Sequence, residues 1–196
     1  MPRIHADTVA DHVAQQEAAV FDAALRLFRD RGYHQVSLGD IAAEVGLARN
    51  SLYRYFPDKA HILLRWFRAE LPAQIDRTEA VLGGEGAPTD RLARWLDDQL
   101  DYAATPEHAL IAALTDVAPE LDDATRAELA DSHRHLLAPL DDTLRDAGVR
   151  RADDRRVVVE LIGGLVMATA AIEAREGPSR RGRRLALDAI RGLLPG

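Results

Sequence analysis

The sequence predicts an all-α protein of about nine helices in two domains, residues 1–57 and 58–196. Three observations support this. Ala, Leu, Arg, Asp and Glu dominate, whereas aromatic residues make up only 5% of the 196 residues, a composition typical of helical proteins. Apolar residues recur at helical spacing between capping residues, Gly and Pro. Near the N-terminus, two short helical patterns flank a glycine turn, which is the pattern of a helix-turn-helix.

The first predicted helix runs from about Asp7 to Arg31 and ends at Gly32. Its spacing predicts an apolar inner face made of Val13, Val20, Ala24, Leu27 and Phe28.

The helix-turn-helix is predicted between Ser37 and Pro57. Ser37 and Asp40 have the spacing of a capping pair, so a helix should begin just after Ser37. Gly46 can adopt the left-handed conformation that ends this helix. A second helix then extends through ARNSLYRYF, because Leu47, Leu52 and Phe56 form a new apolar stripe. In such motifs the second helix enters the DNA major groove.

Polar side chains are concentrated on that second helix. Their donors suit base edges and phosphates, and the residues are Arg49, Asn50, Ser51, Tyr53, Arg54 and Tyr55. Residues 46–68 carry five Lys or Arg side chains and one acid, although the whole chain has a net charge of −7. This asymmetry should orient the chain towards DNA. The alternative is that the helix-turn-helix is only a packing motif of another helical protein.

Six further helices are predicted after Pro57, at about residues 58–82, 89–103, 105–117, 122–148, 153–175 and 180–194. Pro72 should bend the first of them rather than end it. The helix from Asp153 is apolar on more than one side, so something must cover it nearly all round. Gly163 and Gly164 would let another backbone approach it. We therefore expect a homodimer with an interface of Val158, Leu161, Ile162, Gly164, Leu165, Leu185 and Ile190. The alternative is a central core helix in a monomer.

A small-molecule pocket is predicted between helices of the second domain. Its candidate lining residues are Trp66, Trp95, Gln99, Tyr102, Leu114 and Met167. The alternative for each of them is a place in the ordinary core.

The sequence gives little support for a metal site or for catalytic activity. His133 and His135, with Asp116 and Asp131, could suggest a metal site, but histidines two residues apart point to different sides of a helix. No metalloprotease, nucleophile-elbow or Cys-His pattern occurs. We therefore predict no catalytic residues, no metal and no cofactor.

A cytoplasmic location is the expected one. The chain has no Cys and no basic-then-apolar leader. The longest apolar run, Val157 to Ile172, is near the lower length limit for crossing a bilayer and contains Glu160. We expect no membrane partner.

The run GLARNSLYRYFPDK, with AALRLFRDRGY (Ala23 to Tyr33) before it, resembles the TetR family of bacterial transcriptional regulators over about residues 20 to 62. The resemblance implies that Arg49, Asn50 and Tyr53 reach base edges or the adjacent backbone. It implies phosphate contacts for Ser37, Ser51, Tyr55 and Lys59, and either role for Arg54. Lys59 is the chain's single lysine and occupies the family's phosphate-contacting position. Gly39 departs from the family, whose members often carry a longer polar or basic residue there.

The resemblance also implies a function. The chain would be a homodimeric regulator, most simply a repressor, that binds a palindromic operator in double-stranded DNA. A small apolar or amphipathic effector would bind the second domain, move the fourth helix and release the DNA. Activation instead of repression stays open. The alternative of another class is a helical-bundle enzyme or carrier whose helix-turn-helix does not bind DNA.

Overall fold

The computed structural model describes residues 4–195, with side chains from Asp11 onward. Within that range the chain forms nine α-helices and no strand, so the predicted fold class is confirmed. The helices are α1 (Ile4–Arg31), α2 (Leu38–Glu44), α3 (Arg49–Leu52), α4 (Lys59–Leu82), α5 (Pro88–Ala103), α6 (Pro106–Val117), α7 (Asp123–Asp146), α8 (Ala152–Glu176) and α9 (Arg180–Gly192). Short 3₁₀ helices at Tyr33–Gln35 and Ala118–Glu120 precede α2 and α7.

The backbone divides into two compact units. The first contains residues up to 69 together with residues 109–120, and the second contains residues 70–108 and 121 onward. The predicted boundary after residue 57 falls inside the first unit, which therefore holds more than the helix-turn-helix. Residues 59–69 of α4 belong to the first unit and residues 70–82 to the second.

The first unit has a core built on the second half of α1. Val20 and Ala24 are fully buried, and so are Ile41 of α2 and Leu52 of α3. Val13 was predicted on the inner face of α1, and this prediction is wrong, because 46% of its surface is exposed. Residues 11–15 are all exposed, so burial of α1 does not begin until its middle.

The second unit has a separate core in which side chains of α5, α7, α8 and α9 pack together. Val158 and Ile162 of α8 and Ile190 of α9 lie in this core, at 8%, 0% and 0% exposure. Their assignment to the dimer interface is therefore wrong, because a side chain enclosed by its own subunit cannot contact a partner. Their spacing marks the sides of α8 and α9 that face the core. The sequence alone did not distinguish these sides from the outer ones.

Buried and half-buried arginines connect the helices of the second unit through hydrogen bonds and ion pairs. Arg155 Nε donates to Asp141 Oδ1 at 2.8 Å, and its guanidinium also reaches the carbonyl of Arg150 at 2.8 Å. Arg183 of α9 donates to Asp101 of α5 at 2.8 Å and to Glu173 of α8 at 2.9 Å. The hydrogen bonds that Glu173 accepts lower the pKa of its carboxyl, and the bond from the Arg183 side chain has the largest effect.

Helix α8 is long and apolar enough to cross a membrane by length and composition alone, and 17% of its most apolar window is buried within the chain. The core helices of soluble proteins share this composition. One side of α8 is buried in the core of the second unit, and the opposite side is exposed.

Candidate nucleic-acid interface

Helix α2 begins with the predicted capping pair. The Ser37 hydroxyl accepts a hydrogen bond from Asp40 N at 3.1 Å, and Ser37 N donates to Asp40 Oδ2 at 2.8 Å. This reciprocal arrangement satisfies two backbone donors at the helix start. The hydrogen bonds from the Ser37 side chain and backbone lower the pKa of the Asp40 carboxyl. The Ser37 hydroxyl also donates to Asp40 Oδ2 at 2.5 Å, so its own donor is engaged inside the cap.

A tight turn joins α2 to the second helix of the motif. Gly46 has φ of 69°, in the left-handed region where glycine carries no steric penalty. Leu47 N donates back to Ala42 O at 2.8 Å, which closes the turn. Regular α-helix extends only over Arg49–Leu52, and a turn continues through Tyr55, whose N–H donates to Leu52 O at 2.9 Å. We call residues 49–55 the recognition segment.

The recognition segment has one buried and one exposed side. Leu52 is fully buried and Phe56, just after the segment, is 4% exposed, as predicted for the inward positions. Arg49, Asn50 and Arg54 are exposed and 47% of Tyr53 is accessible, whereas Ser51 and Tyr55 are half-buried. Neither guanidinium forms an ion pair with an acid among the residues that the structure describes. The exposed side therefore offers uncompensated positive charge and hydrogen-bond donors.

Lys59, at the start of α4, is bound within the chain. Its Nζ donates to Val36 O at 2.6 Å and to Tyr33 O at 3.0 Å, and it lies 4.3 Å from the centre of the Tyr33 ring. Partial burial lowers the pKa of this ammonium group. Lys59 thus fastens the start of α4 to the segment before α2. An ammonium group has three donors, so the phosphate contact stays a prediction alongside this structural role.

A second link joins α4 to α1. The Arg65 guanidinium forms an ion pair with Glu17 and lies 4.6 Å from the centre of the Phe21 ring. Phe21 in turn stacks against Phe56 at 6.5 Å between ring centres. Sequence reasoning missed this cluster, because its members come from three distant parts of the chain. It compensates one of the five positive charges of residues 46–68, whereas Arg49 and Arg54 are exposed.

The segment between α1 and α2 also contacts the later part of the first unit. His34 Nε2 lies 3.2 Å from Asp116 Oδ2 of α6, although the two residues are far apart in sequence. Burial raises the pKa of the neighbouring Tyr33 hydroxyl to about 12, with further contributions from the Asp58 and Glu120 carboxylates.

The predicted pocket residues are divided between the two units. Trp66 (1% exposed) and Leu114 (4%) are buried in the first unit; in the second, Trp95 is 4% exposed and Gln99 and Tyr102 are half-buried. Met167 is 54% exposed, so its assignment as a pocket residue is wrong. It lies on the outer side of α8 rather than on the side that faces the core.

The outer sides of α8 and α9 carry exposed apolar residues. Leu161 is 48% and Leu185 58% exposed, and a side chain added at Gly164 would meet no atom within 4 Å. Leu165 is half-buried beside the core. Three exposed residues absent from the predicted interface share this surface: Val157, Met167 and Ile172. We call these residues, with Leu161, Gly164 and Leu185, the α8–α9 apolar surface.

No group of three or more His, Cys, Asp or Glu residues that could hold a metal ion occurs in the part of the chain that the structure describes. His133 and His135 are both exposed on α7.

Comparison with known proteins gives one family match. Residues 20–65 match the family described as "Bacterial regulatory proteins, tetR family". The chain is 31% identical over 74 residues to the fatty acid metabolism regulator protein of Bacillus subtilis, which is 38% of each protein. It is 32% identical over 104 residues to the HTH-type transcriptional repressor KstR of Mycolicibacterium smegmatis, 52% of this chain and 49% of KstR. The matches thus span about half or less of these relatives.

Similarity of fold extends over nearly the whole chain. The crystal structure of the transcriptional regulator FadR from Bacillus subtilis in complex with stearoyl-CoA aligns with a TM-score of 0.64, at 21% identity, over 91% of this chain and 98% of FadR. At this identity the match establishes the shared all-helical fold.

Proposed function

Through residues 20–65 the chain belongs to the TetR family of bacterial regulatory proteins, and from that premise we propose that it is a ligand-responsive transcriptional repressor. One observation carries the proposal. The recognition segment presents Arg49, Asn50, Tyr53 and Arg54 outward with no acidic partner among residues 11–195, while Leu52 packs into the core. This is the arrangement needed for a helix that reads the major groove.

The recognition segment would contact one half of an operator. Arg49 and Asn50 have the donors that pair with guanine and adenine edges. Tyr55 would contact a flanking phosphate, and Arg54 would contact either a base edge or a phosphate. The exposed positive charge would add a salt-dependent contribution that is independent of sequence. Ser51 would add a further phosphate contact, and Ser37 would do so only if its hydroxyl turned away from Asp40, to which it donates in the cap.

A homodimer on a palindromic operator would use the α8–α9 apolar surface. Exposed apolar side chains alternate there with the open Gly163 and Gly164 positions, where another backbone can approach closely. A two-fold symmetric pair of these helices would present two recognition segments to two half-sites. Such an interface would also cover the exposed side of α8, which supports a soluble, cytoplasmic protein rather than one in a membrane.

The effector would be a small apolar or amphipathic molecule bound in the second domain. Trp95, Gln99 and Tyr102 follow one side of α5 and combine apolar and polar atoms, as ligand sites do. The relative FadR is described in complex with stearoyl-CoA, which supports an amphipathic class of effector for this fold. Binding would release DNA through a movement of α4, and by linkage DNA would weaken effector binding by the same factor.

Fluorescence anisotropy with DNA from upstream of the chain's own gene tests the proposal. We expect tight binding to a fragment containing a palindrome, and weak binding to a scrambled fragment of equal length. The rival function, a helical-bundle enzyme or carrier, predicts that the two fragments bind equally weakly. The regulatory relatives favour the repressor over this rival. Absence of sequence preference at low salt would contradict the proposed function.

A further inference from the structure

Three buried polar atoms on successive turns of α5 have no hydrogen-bond partner among the described residues. They are Arg91 Nε, Trp95 Nε1 and Asp98 Oδ2. Their spacing of four and three residues places them on one side of the helix. Most buried polar atoms are hydrogen-bonded, and each exception calls for a missing partner. Two donors and one acceptor in a row therefore indicate a polar occupant of this side of α5.

Side chains on this side of α5 contact the second half of α4 and also α7. Arg91 Nη1 donates to Leu82 O at 2.8 Å and Arg91 Nη2 to Asp146 Oδ2 of α7 at 2.8 Å, and Arg77 Nη1 lies 4.0 Å from Asp98 Oδ1. Trp95 is 4% exposed, belongs to the core of the second unit and follows Arg91 on the same side of α5. We call this the α4–α5 seam; it runs from Arg91 to Tyr102 on α5.

The Tyr102 end of the seam is more open and is acidic. Tyr102 is half-buried and packs edge-to-face against His108, with ring centres 5.8 Å apart. Burial raises the pKa of the Tyr102 hydroxyl, and the carboxylates of Glu70 and Glu107 raise it further, against the opposing effect of Arg77. Burial also lowers the pKa of His108, so its neutral form is favoured. With Asp98, three carboxylates are therefore near this end together with Arg77, whereas Arg91 lies at the other end and pairs with Asp146 of α7.

We propose that the α4–α5 seam binds the head of a small amphipathic amine, whose ammonium group donates to Asp98 Oδ2 and whose neighbouring oxygen accepts from Trp95 Nε1. The Cβ atoms of side chains one turn apart are separated by about 5–6 Å, so we place the oxygen three carbons from the nitrogen. An anionic head is disfavoured by the three carboxylates. This inference deepens the proposed function, since it names the class of effector, and its regulatory consequence depends on that function.

Head-group selectivity is the first test. Decylamine, decanol and decanoate share one apolar chain and differ in charge, and their binding to the full-length protein can be measured by calorimetry below their micellar concentrations. We expect decylamine to bind at least about tenfold more tightly than the other two, because a buried charged hydrogen bond contributes this much. Equal affinities, tighter binding of decanoate, or no binding by any of the three would overturn the proposal.

Two variants locate the binding site. Asp98→Asn keeps the shape and removes the charge, so the preference for decylamine over decanol should disappear. Asp76→Asn alters an exposed acid on α4 and should leave the preference intact. Hexyloxypropylamine has the same length as decylamine and an ether oxygen three carbons from its nitrogen, so it should bind the parent protein more tightly than decylamine does. Trp95→Phe keeps an aromatic ring and removes the N–H, so this difference should disappear. Circular dichroism melting identifies any variant that fails to fold. A folded Asp98→Asn protein that retains the preference would place the amine elsewhere and refute the site.

DNA binding distinguishes failure of the site from failure of the function. Anisotropy with the upstream palindrome is measured with and without decylamine. If DNA binds specifically but none of the amines binds, the seam proposal is wrong and the regulator stands. If the amines bind with the predicted selectivity but the chain has no specific DNA affinity, the seam stands and the proposed function is wrong.

Discussion

Substituting a single side chain of the recognition segment should change the affinity for the operator more than the affinity for unrelated DNA. Arg49 is exposed and unpaired with acids among the described residues. Arg49→Ala should weaken binding to the palindromic operator by about 1–3 kcal/mol, because it removes a base-edge contact. Binding to scrambled DNA should change much less. Anisotropy on both fragments measures the difference.

Arg150→Ala is the matched control for Arg49→Ala, since it removes an exposed arginine from the loop before α8. It should leave both affinities unchanged. If Arg49→Ala reduces binding to operator and scrambled DNA equally, Arg49 contacts only the phosphate backbone.

Lys59 should affect stability as well as DNA binding. Lys59→Met removes the Lys59 donor from Val36 O and one of the two donors to Tyr33 O, so the free energy of unfolding should fall by about 1–3 kcal/mol. Urea denaturation followed by circular dichroism measures this. The same substitution should weaken all DNA sequences alike and reduce the salt slope by about one for each subunit bound. Lys59→Arg should recover part of the DNA affinity. Unchanged stability of Lys59→Met would exclude the structural role.

At this scale the sequence predicted which residues face inward and which face outward in the recognition segment. Leu52 and Phe56 could be identified because their spacing follows the helix. The engagement of Lys59 with Tyr33 and Val36 could not be predicted, because it depends on how α4 packs against a segment more than twenty residues earlier. Its place in the family motif pointed only to phosphate.

Among the single helices, α2 is stabilised by the cap that Ser37 provides. Ser37→Ala should lower the free energy of unfolding by about 1 kcal/mol at neutral pH, because the Asp40 N–H loses its acceptor. Ser132→Ala on α7 is the control and should have little effect. Chemical denaturation monitored by tryptophan fluorescence compares the two.

The same cap predicts a pH dependence. The pKa of Asp40 is lower in the folded protein than in the unfolded chain, so its contribution to stability is present above the unfolded pKa. That contribution is lost as the pH falls through the lower, folded pKa. Asp40→Asn should therefore make stability less dependent on pH in the acidic range. An acid-unfolding profile identical to that of the parent chain would contradict this assignment.

Helix starts were predictable where the capping side chain and the first turn agreed. Ser37 and Asp122 cap α2 and α7 as their sequence context indicates. The predicted starts at about residues 89 and 153 are slightly late, because α5 begins at Pro88 after Ala87 and α8 begins at Ala152 after Arg151. Neither start has a side-chain cap, and the proline at the first position of α5 lacks the N–H that a cap would satisfy.

The whole molecule should bind DNA with a strong dependence on salt. A dimer would bring Arg49, Arg54 and Lys59 from each subunit to the phosphates and bases, which gives about six displaced counterions. The affinity should then fall about a thousandfold between about 50 and 200 mM salt. Anisotropy titrations over this range measure the slope. A flat dependence would contradict the phosphate contacts.

Oligomeric state tests the α8–α9 apolar surface. Leu161→Glu should give a monomer with unchanged helical content and much weaker operator binding, because the charge would be buried at the two-fold axis. Val13→Glu, which alters an exposed apolar residue of α1, should leave the dimer intact. Light scattering coupled to size exclusion distinguishes the two. A monomeric parent chain would refute both the interface and the two-site operator.

The sequence indicated that α8 needed cover on more than one side, but it could not divide its apolar residues between the two sides. Val158 and Leu161 are both strongly apolar and lie on different sides of α8. Which side packs against α5, α7 and α9 depends on the tertiary structure. For the same reason Met167 was placed inside and Val157 was left out of the interface.

Residues 109–120 have a consequence for how this protein can be taken apart. They follow α5 in sequence, yet they belong to the same compact unit as the helix-turn-helix, where Asp116 approaches His34. The recognition module is therefore discontinuous along the gene. A chimaera that transplants residues 1–57, or even 1–69, onto another effector domain would leave part of its own module behind. A functional exchange has to carry both segments, or supply from the recipient a helix that replaces the second.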